Sequence, residues 1–172
     1  MTPGFSALVV PVPSAEFAVL DRLPATTPGV RVPAHVTLLS PFARREELSE
    51  GLLGELRSFF GDVVAFPFAL SQVSAFPAGP AYLAPEPAAP FRRLTHQLAR
   101  RFPEYPPYEG RFDEVVPHVT VTVLDGETTE DLQRLVDAHG VVRDQAREAE
   151  LLWVTEDTLE VLAHFPFGTT AA

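Results

Sequence analysis

Cysteine is absent from the 172 residues, and so is lysine: all thirteen basic side chains are arginine. Without thiols there is no disulfide, no thiolate nucleophile and no cysteine-containing zinc site. Without lysine there is no Schiff base, no lysine nucleophile and no phosphate-loop lysine. Positive charge is scarce overall, the formal net charge being −10, which argues against gripping long nucleic acid by neutralising its phosphates. A small nucleotide or a short RNA end remains compatible, because a local arginine cluster can serve those. No stretch reaches the length of a membrane span, and Met1-Thr2-Pro3-Gly4-Phe5 lacks the basic flank of a signal peptide. A cytoplasmic protein with no membrane partner is the expectation, with a monomer as the starting assumption.

What is present is an ordinary globular composition, 46% hydrophobic and 21% charged, in a length that suits one domain or two lobes sharing a core. Within it, one tripeptide occurs twice, each time just after a proline or one residue beyond it: His35-Val36-Thr37 and His118-Val119-Thr120. From His118 to Val123 alternation is strict, with Val119, Val121 and Val123 against His118, Thr120 and Thr122, the period of a strand with one buried face. Two residues of strand rise separate His118 and Thr120 by roughly 6.6 Å, close enough for imidazole and hydroxyl to contact one phosphate-sized group. The earlier copy repeats this with Val36 and Leu38 inward, although Leu39 falls on the polar side. One such tripeptide would mean little, given the false-positive risk of short motifs; two identical copies on strands point to a site built twice.

The rest of the chain falls into two similar halves. Phe5 to Val12 reads as a strand, Ser14 as the cap of a helix carrying Phe17 and Leu20, and the proline-rich stretch 24–33 as a loop into the first His-Val-Thr strand. Residues 46–60 have helical spacing, and 63–76 read as extended chain with Pro67 marking an edge or a bulge. Then a short strand at 82–84, a helix at 90–102, a proline-rich loop and the second His-Val-Thr strand repeat the order. A helix at 129–139 and two strands, 148–155 and 159–165, complete it. The repeat predicts an α+β fold of two lobes, approximately 1–76 and 77–172 with strand exchange allowed between them. Two antiparallel-rich sheets with outer helices would be related by a pseudo-twofold axis around a central cleft.

Two histidines in one cleft can supply a general base and a general acid together, since an unperturbed pKa of roughly 6.5 allows either form near neutral pH. Displacement at phosphorus needs that pair. Thr37 and Thr120 would donate hydrogen bonds to the non-bridging oxygens, contacts that strengthen as charge develops. No metal or other cofactor is required.

These residues resemble the paired His-x-Thr/Ser-hydrophobic signature of the 2H phosphoesterase superfamily, which includes the RNA 2′,5′-ligase-like cyclic phosphodiesterases. The resemblance spans nearly the whole chain. It implies a bilobal fold, a metal-independent site, and hydrolysis of a cyclic nucleotide phosphate, such as a 2′,3′-cyclic end, or of a 2′,5′ linkage. His35 and His118 are then the acid/base pair, without assignment of which is the base, and Thr37 and Thr120 bind phosphate. Some members carry a basic residue after the second motif, where this chain has Val123-Leu124-Asp125-Gly126. Arg111 is a candidate for extra phosphate contact against the reading of a solvated charge, and Tyr82 a candidate for stacking on a base, more so than Phe42 or Trp153. His96, His139 and His164 read as structural or exposed. The alternatives are a non-catalytic module holding a nucleotide or RNA end in the same cleft, and, more weakly, a two-histidine metal site.

Overall fold

Residues 3–111 and 114–168 of the computed structural model are described here. They form β1 (Phe5–Pro11), β2 (His35–Leu39), α1 (Glu50–Gly61), β3 (Phe66–Ala75), β4 (Ala81–Glu86), α2 (Ala89–Arg101), β5 (Val119–Thr120), α3 (Thr129–His139), β6 (Val142–Ala146), β7 (Glu148–Val154) and β8 (Leu159–Pro166). The strands make two antiparallel sheets, ordered β2-β1-β7-β8 and β5-β4-β3-β6, giving the expected two-lobed α+β architecture. The sheets do not follow the halves of the sequence. β3 of the first half lies in the second sheet, and the β7–β8 hairpin at the end of the chain extends the first through β1.

β1 is a central strand buried on both faces, which is why Phe5 to Val12 reads as a nearly continuous apolar run. Leu8 and Val10 enter the main core. Ala7 and Val9 face the other way, into a smaller apolar cluster with Leu152 and Val154, against which Val30 packs. Helix α1 is capped by Ser49, whose Oγ accepts from the Leu52 N–H at 3.2 Å, and its Phe60 stacks on Phe165. Helix α2 is fixed to β2 by the buried Thr95 hydroxyl, which donates to the Leu38 carbonyl at 2.8 Å. On α3, Gln133 accepts from the Val73 N–H and donates to the Ser71 carbonyl, both at 2.8 Å. Those backbone groups lie beyond the stretch of β3 that β6 pairs, so one side chain satisfies an otherwise open strand edge.

Four local expectations differ. The helix after Ser14 is a pair of 3-10 turns, Pro13–Ala18 and Leu20–Arg22, without a side-chain cap; the Ser14 hydroxyl donates instead to the Asp144 carboxylate. Residues 45–47 form their own 3-10 turn, because Ser49 is the cap that starts α1. Pro67 sits in a strand between two neighbours, tolerated because β4 pairs only from Ala69 onward and leaves that side open at Pro67. Strand β6 was not legible: only Val142 and Ala146 of its five residues are buried, and Arg143 and Gln145 mask the pattern.

Candidate active site

Each histidine is placed by strand register. β2 pairs with β1 so that Thr37 lies opposite Val9 and His35 opposite Pro11, while Val36 and Leu38 are buried in the core. Alternation then turns His35 and Thr37 to the opposite face. The second copy is held by β4, with Tyr82 opposite Thr120 and Leu83 opposite Val119. Val119 and Val121 are buried on the core side, the same logic with a shorter strand. β5 ends at Thr120, the Val121 N–H still donates to the Ala81 carbonyl of β4 at 3.1 Å, and the next residue is held by other means: the Thr122 N–H donates to the Ala18 carbonyl and the Thr122 hydroxyl to the Val19 carbonyl, both at 2.9 Å. Arg22 donates to the Thr122 carbonyl and pairs with Glu127, whose other oxygen accepts from the Leu124 N–H.

His35, Thr37, His118 and Thr120 line one cleft of about 480 Å³. Both imidazoles are tethered alike: Nδ1 lies 2.7 Å from the carbonyl oxygen two residues back, Pro33 in one case and Val116 in the other. A carbonyl can only accept, so Nδ1 carries the proton and, in the neutral ring, Nε2 is left as the basic atom. Among the described residues neither Thr37 nor Thr120 spends its hydroxyl on another protein group, in contrast to Thr122.

The surroundings of the two rings differ. Burial lowers the His35 pKa below 6.5; the Pro33 carbonyl opposes this, the charge of His118 adds to it, and Glu16 opposes it. The Glu16 carboxylate also accepts from the Ala34 N–H, next to His35 in the chain. His118 instead meets aromatic rings, Phe76 at 4.9 Å and 82° and Tyr82 at 5.5 Å and 64°, and those two rings stack on each other at 4.4 Å. Tyr82 therefore belongs to the wall behind His118. Arg111 is placed elsewhere: its guanidinium is exposed, pairs with Glu109 at 2.9 Å and does not line the cleft. Phe42 packs into the core against Phe102 and Tyr105, and Trp153 lies beneath Arg45 on the outer surface.

Sequence reading missed Tyr108. It lines the cleft with a left-handed backbone (φ 50°), its N–H donates to the Ser40 carbonyl at 2.8 Å, and burial pushes its phenol pKa up. Phe76 was missed as well, since nothing in its sequence neighbourhood separates it from a core aromatic. The apolar cluster of Val9, Leu152, Val154 and Val30 forms much of the remaining lining of the cleft; its members come from distant segments. Apart from the two histidines, no potential metal ligand of the His or carboxylate type lines the cleft among the described residues. A group of that kind, Glu148, Glu150 and His164, lies on the β7–β8 surface, where the carboxylates sit 3.7 and 3.6 Å from His164 Nδ1 and burial raises the Glu150 pKa. No helix among the described residues is long and apolar enough to cross a membrane.

Solved structures of similar fold include TT0787 of Thermus thermophilus, with a TM-score of 0.65 at 17% identity over 97% of this chain and 100% of that one. E. coli LigT, crystallised with 3′-AMP, has a TM-score of 0.55 at 14% identity over 96% and 98% of the two chains. A protein described as a phosphoesterase has 0.59 at 15% identity over 96% and 99%. No curated protein sequence matches. The family model of the 2′-5′ RNA ligase superfamily matches residues 11–161, a span that includes both His-Val-Thr strands and most of the residues lining the cleft, and this chain belongs to that superfamily.

Proposed function

We propose that the chain is a metal-independent phosphodiesterase that opens a cyclic nucleotide phosphate, such as a 2′,3′-cyclic phosphate, or cuts a 2′,5′-linked RNA end. The observation that carries this reading is the pair of identically tethered imidazoles lining one cleft, each with a threonine two residues on. In the hydrolytic direction a water oxygen attacks phosphorus while one Nε2 takes its proton. The phosphorus–oxygen bond to the ribose breaks, and the departing oxygen receives a proton from the other ring, so that one water is added across the bond. Burial and the neighbouring His118 keep His35 in its neutral form near pH 7, the form that accepts a proton, which fits His35 as base and His118 as acid. Thr37 and Thr120 donate to the non-bridging oxygens and hold the phosphorus between the rings.

Assaying the purified protein against 2′,3′-cyclic nucleotides and 2′,5′-linked dinucleotides, with products identified by chromatography, tests the reading. Turnover that persists in a chelator supports it. Binding without turnover of any of these compounds would instead favour a nucleotide-binding module that uses the same cleft.

A further inference from the structure

The lining of the cleft is uncharged. Apart from the two imidazoles, every described residue along it is aliphatic, hydroxylic, proline, Phe5 or the phenol Tyr108, which burial keeps protonated. Two other grooves of the molecule are unlike it: one is lined by Arg143, Asp144, Arg147 and Glu86, another by Glu16, Asp21, Asp144 and Glu150. Three arginines close in sequence to lining residues do not line the cleft themselves, and their guanidinium groups have other partners. Arg22 is tied to the Thr122 carbonyl and to Glu127, with its side chain only 12% exposed, and Arg111 is paired with Glu109. Arg31, between two lining valines, donates to the carbonyls of Pro24, Leu20 and Leu23 at 3.3–3.4 Å. One phosphate is therefore answered, by the histidines and threonines. A second would meet Val30, Val32 and Leu152, in a chain of net charge −10. A phosphate taken from water against such a wall loses hydration and gains no partner.

Resting on the phosphodiesterase reading, we propose that this cleft selects its substrate by charge: it takes a small cyclic diester with a single negative charge and an uncharged body, a nucleoside 2′,3′-cyclic phosphate, and discriminates against bodies carrying further phosphates. The volume of about 480 Å³ suits one nucleoside. Of the substrates consistent with the site, the mononucleotide is then favoured over the RNA end.

Three probes make the test: adenosine 2′,3′-cyclic phosphate, the same compound with a 5′-phosphate, and a trinucleotide RNA ending in a 2′,3′-cyclic phosphate. In low salt, kcat/KM is expected to fall at least about tenfold when the 5′-phosphate is added, and the gap to narrow as salt screens the repulsion. Val32→Arg, or Leu23→Arg should the first fail to fold, is expected to move the ratio between the phosphorylated and plain compounds about tenfold toward the phosphorylated one, by supplying the missing cation. Equal kcat/KM for the three probes, or preference for the trinucleotide, overturns the selectivity while leaving the phosphodiesterase reading intact. Calorimetric binding of the same probes separates the two claims: the same order of affinity without turnover supports selectivity and sinks catalysis. No binding of any probe overturns both.

Discussion

His35 and His118 carry the same side chain on the same tripeptide, each tethered through Nδ1 by a 2.7 Å contact to the carbonyl two residues back. Everything around them differs. His35 stands on a five-residue strand paired along its length to β1, recessed enough that burial depresses its pKa. His118 stands just before a two-residue strand, in front of a wall of two aromatic rings, and the chain at Thr122 is held by Arg22, Val19 and Ala18. The tripeptide together with the two residues before it thus sets tautomer and spacing locally. Burial lowers the His35 pKa against the pull of its own Pro33 tether. Two copies of one local arrangement are in this way set in unlike surroundings.

Removing either ring breaks the comparison outright. His35→Ala and His118→Ala are each expected to lower kcat by about 10²–10⁴-fold with the folded signal in circular dichroism unchanged, since each takes away one partner in proton transfer. Near-normal turnover in either variant would show that the ring is not used.

The threonines come next. Thr37→Val and Thr120→Val keep side-chain shape and delete one donor each, and a hydrogen bond to a charged oxygen is worth roughly 1.5–3 kcal/mol, or about 10–150-fold in rate. Similar losses in both variants would say that the two halves grip phosphate equally; a loss in one alone would place the phosphate against that half.

Arg22→Ala probes the feature that only the second copy has. Its side chain spans from the first sheet's connecting segment to the Thr122 carbonyl and Glu127, so loss should let the strand after Thr120 shift. A fall in kcat of about tenfold with little change in KM is expected, as small misplacements of reacting groups are costly. Arg45→Ala, which removes an exposed pair with Glu160 that does not line the cleft, is the control and should leave the rate unchanged.

The smallest effect is the pH dependence of stability that His35 contributes. The folded His35 pKa lies below its ordinary 6.5, so between those two values the unfolded chain binds a proton that the folded chain refuses. The contribution is fully present above pH 6.5, is lost as pH falls toward the folded value, and levels off below it. Urea midpoints followed from about pH 7.5 downward should therefore drop more in the wild type than in His35→Gln. Parallel curves would contradict the depressed value.

Much of this site could be read without coordinates because its information is local. Alternation around Val36 and Val119 fixes which face each histidine takes, and the repeated tripeptide flags the two strands as equivalent. The α+β class and helices α1, α2 and α3 follow from strand alternation and helical spacing of the same local kind. What stayed hidden depends on segments far apart in the chain. Tyr108 reaches the cleft through a left-handed turn tied to Ser40, and Phe76 reaches His118 from the end of β3; neither has a pattern of its own. Arg111, beside the second strand in sequence, turns to Glu109 instead. The exchange of β3 and β7–β8 between sheets was likewise a matter of pairing partners, which alternation does not encode.

The most direct test of the shared-phosphate account is kcat/KM on adenosine 2′,3′-cyclic phosphate for the double variant His35→Ala/His118→Ala beside the two single variants. Residues that work as one unit are strongly non-additive, so the double variant should be little worse than the poorer single one. Losses that simply multiply would mean that the two imidazoles act independently, and the account of one phosphorus held between them would be contradicted.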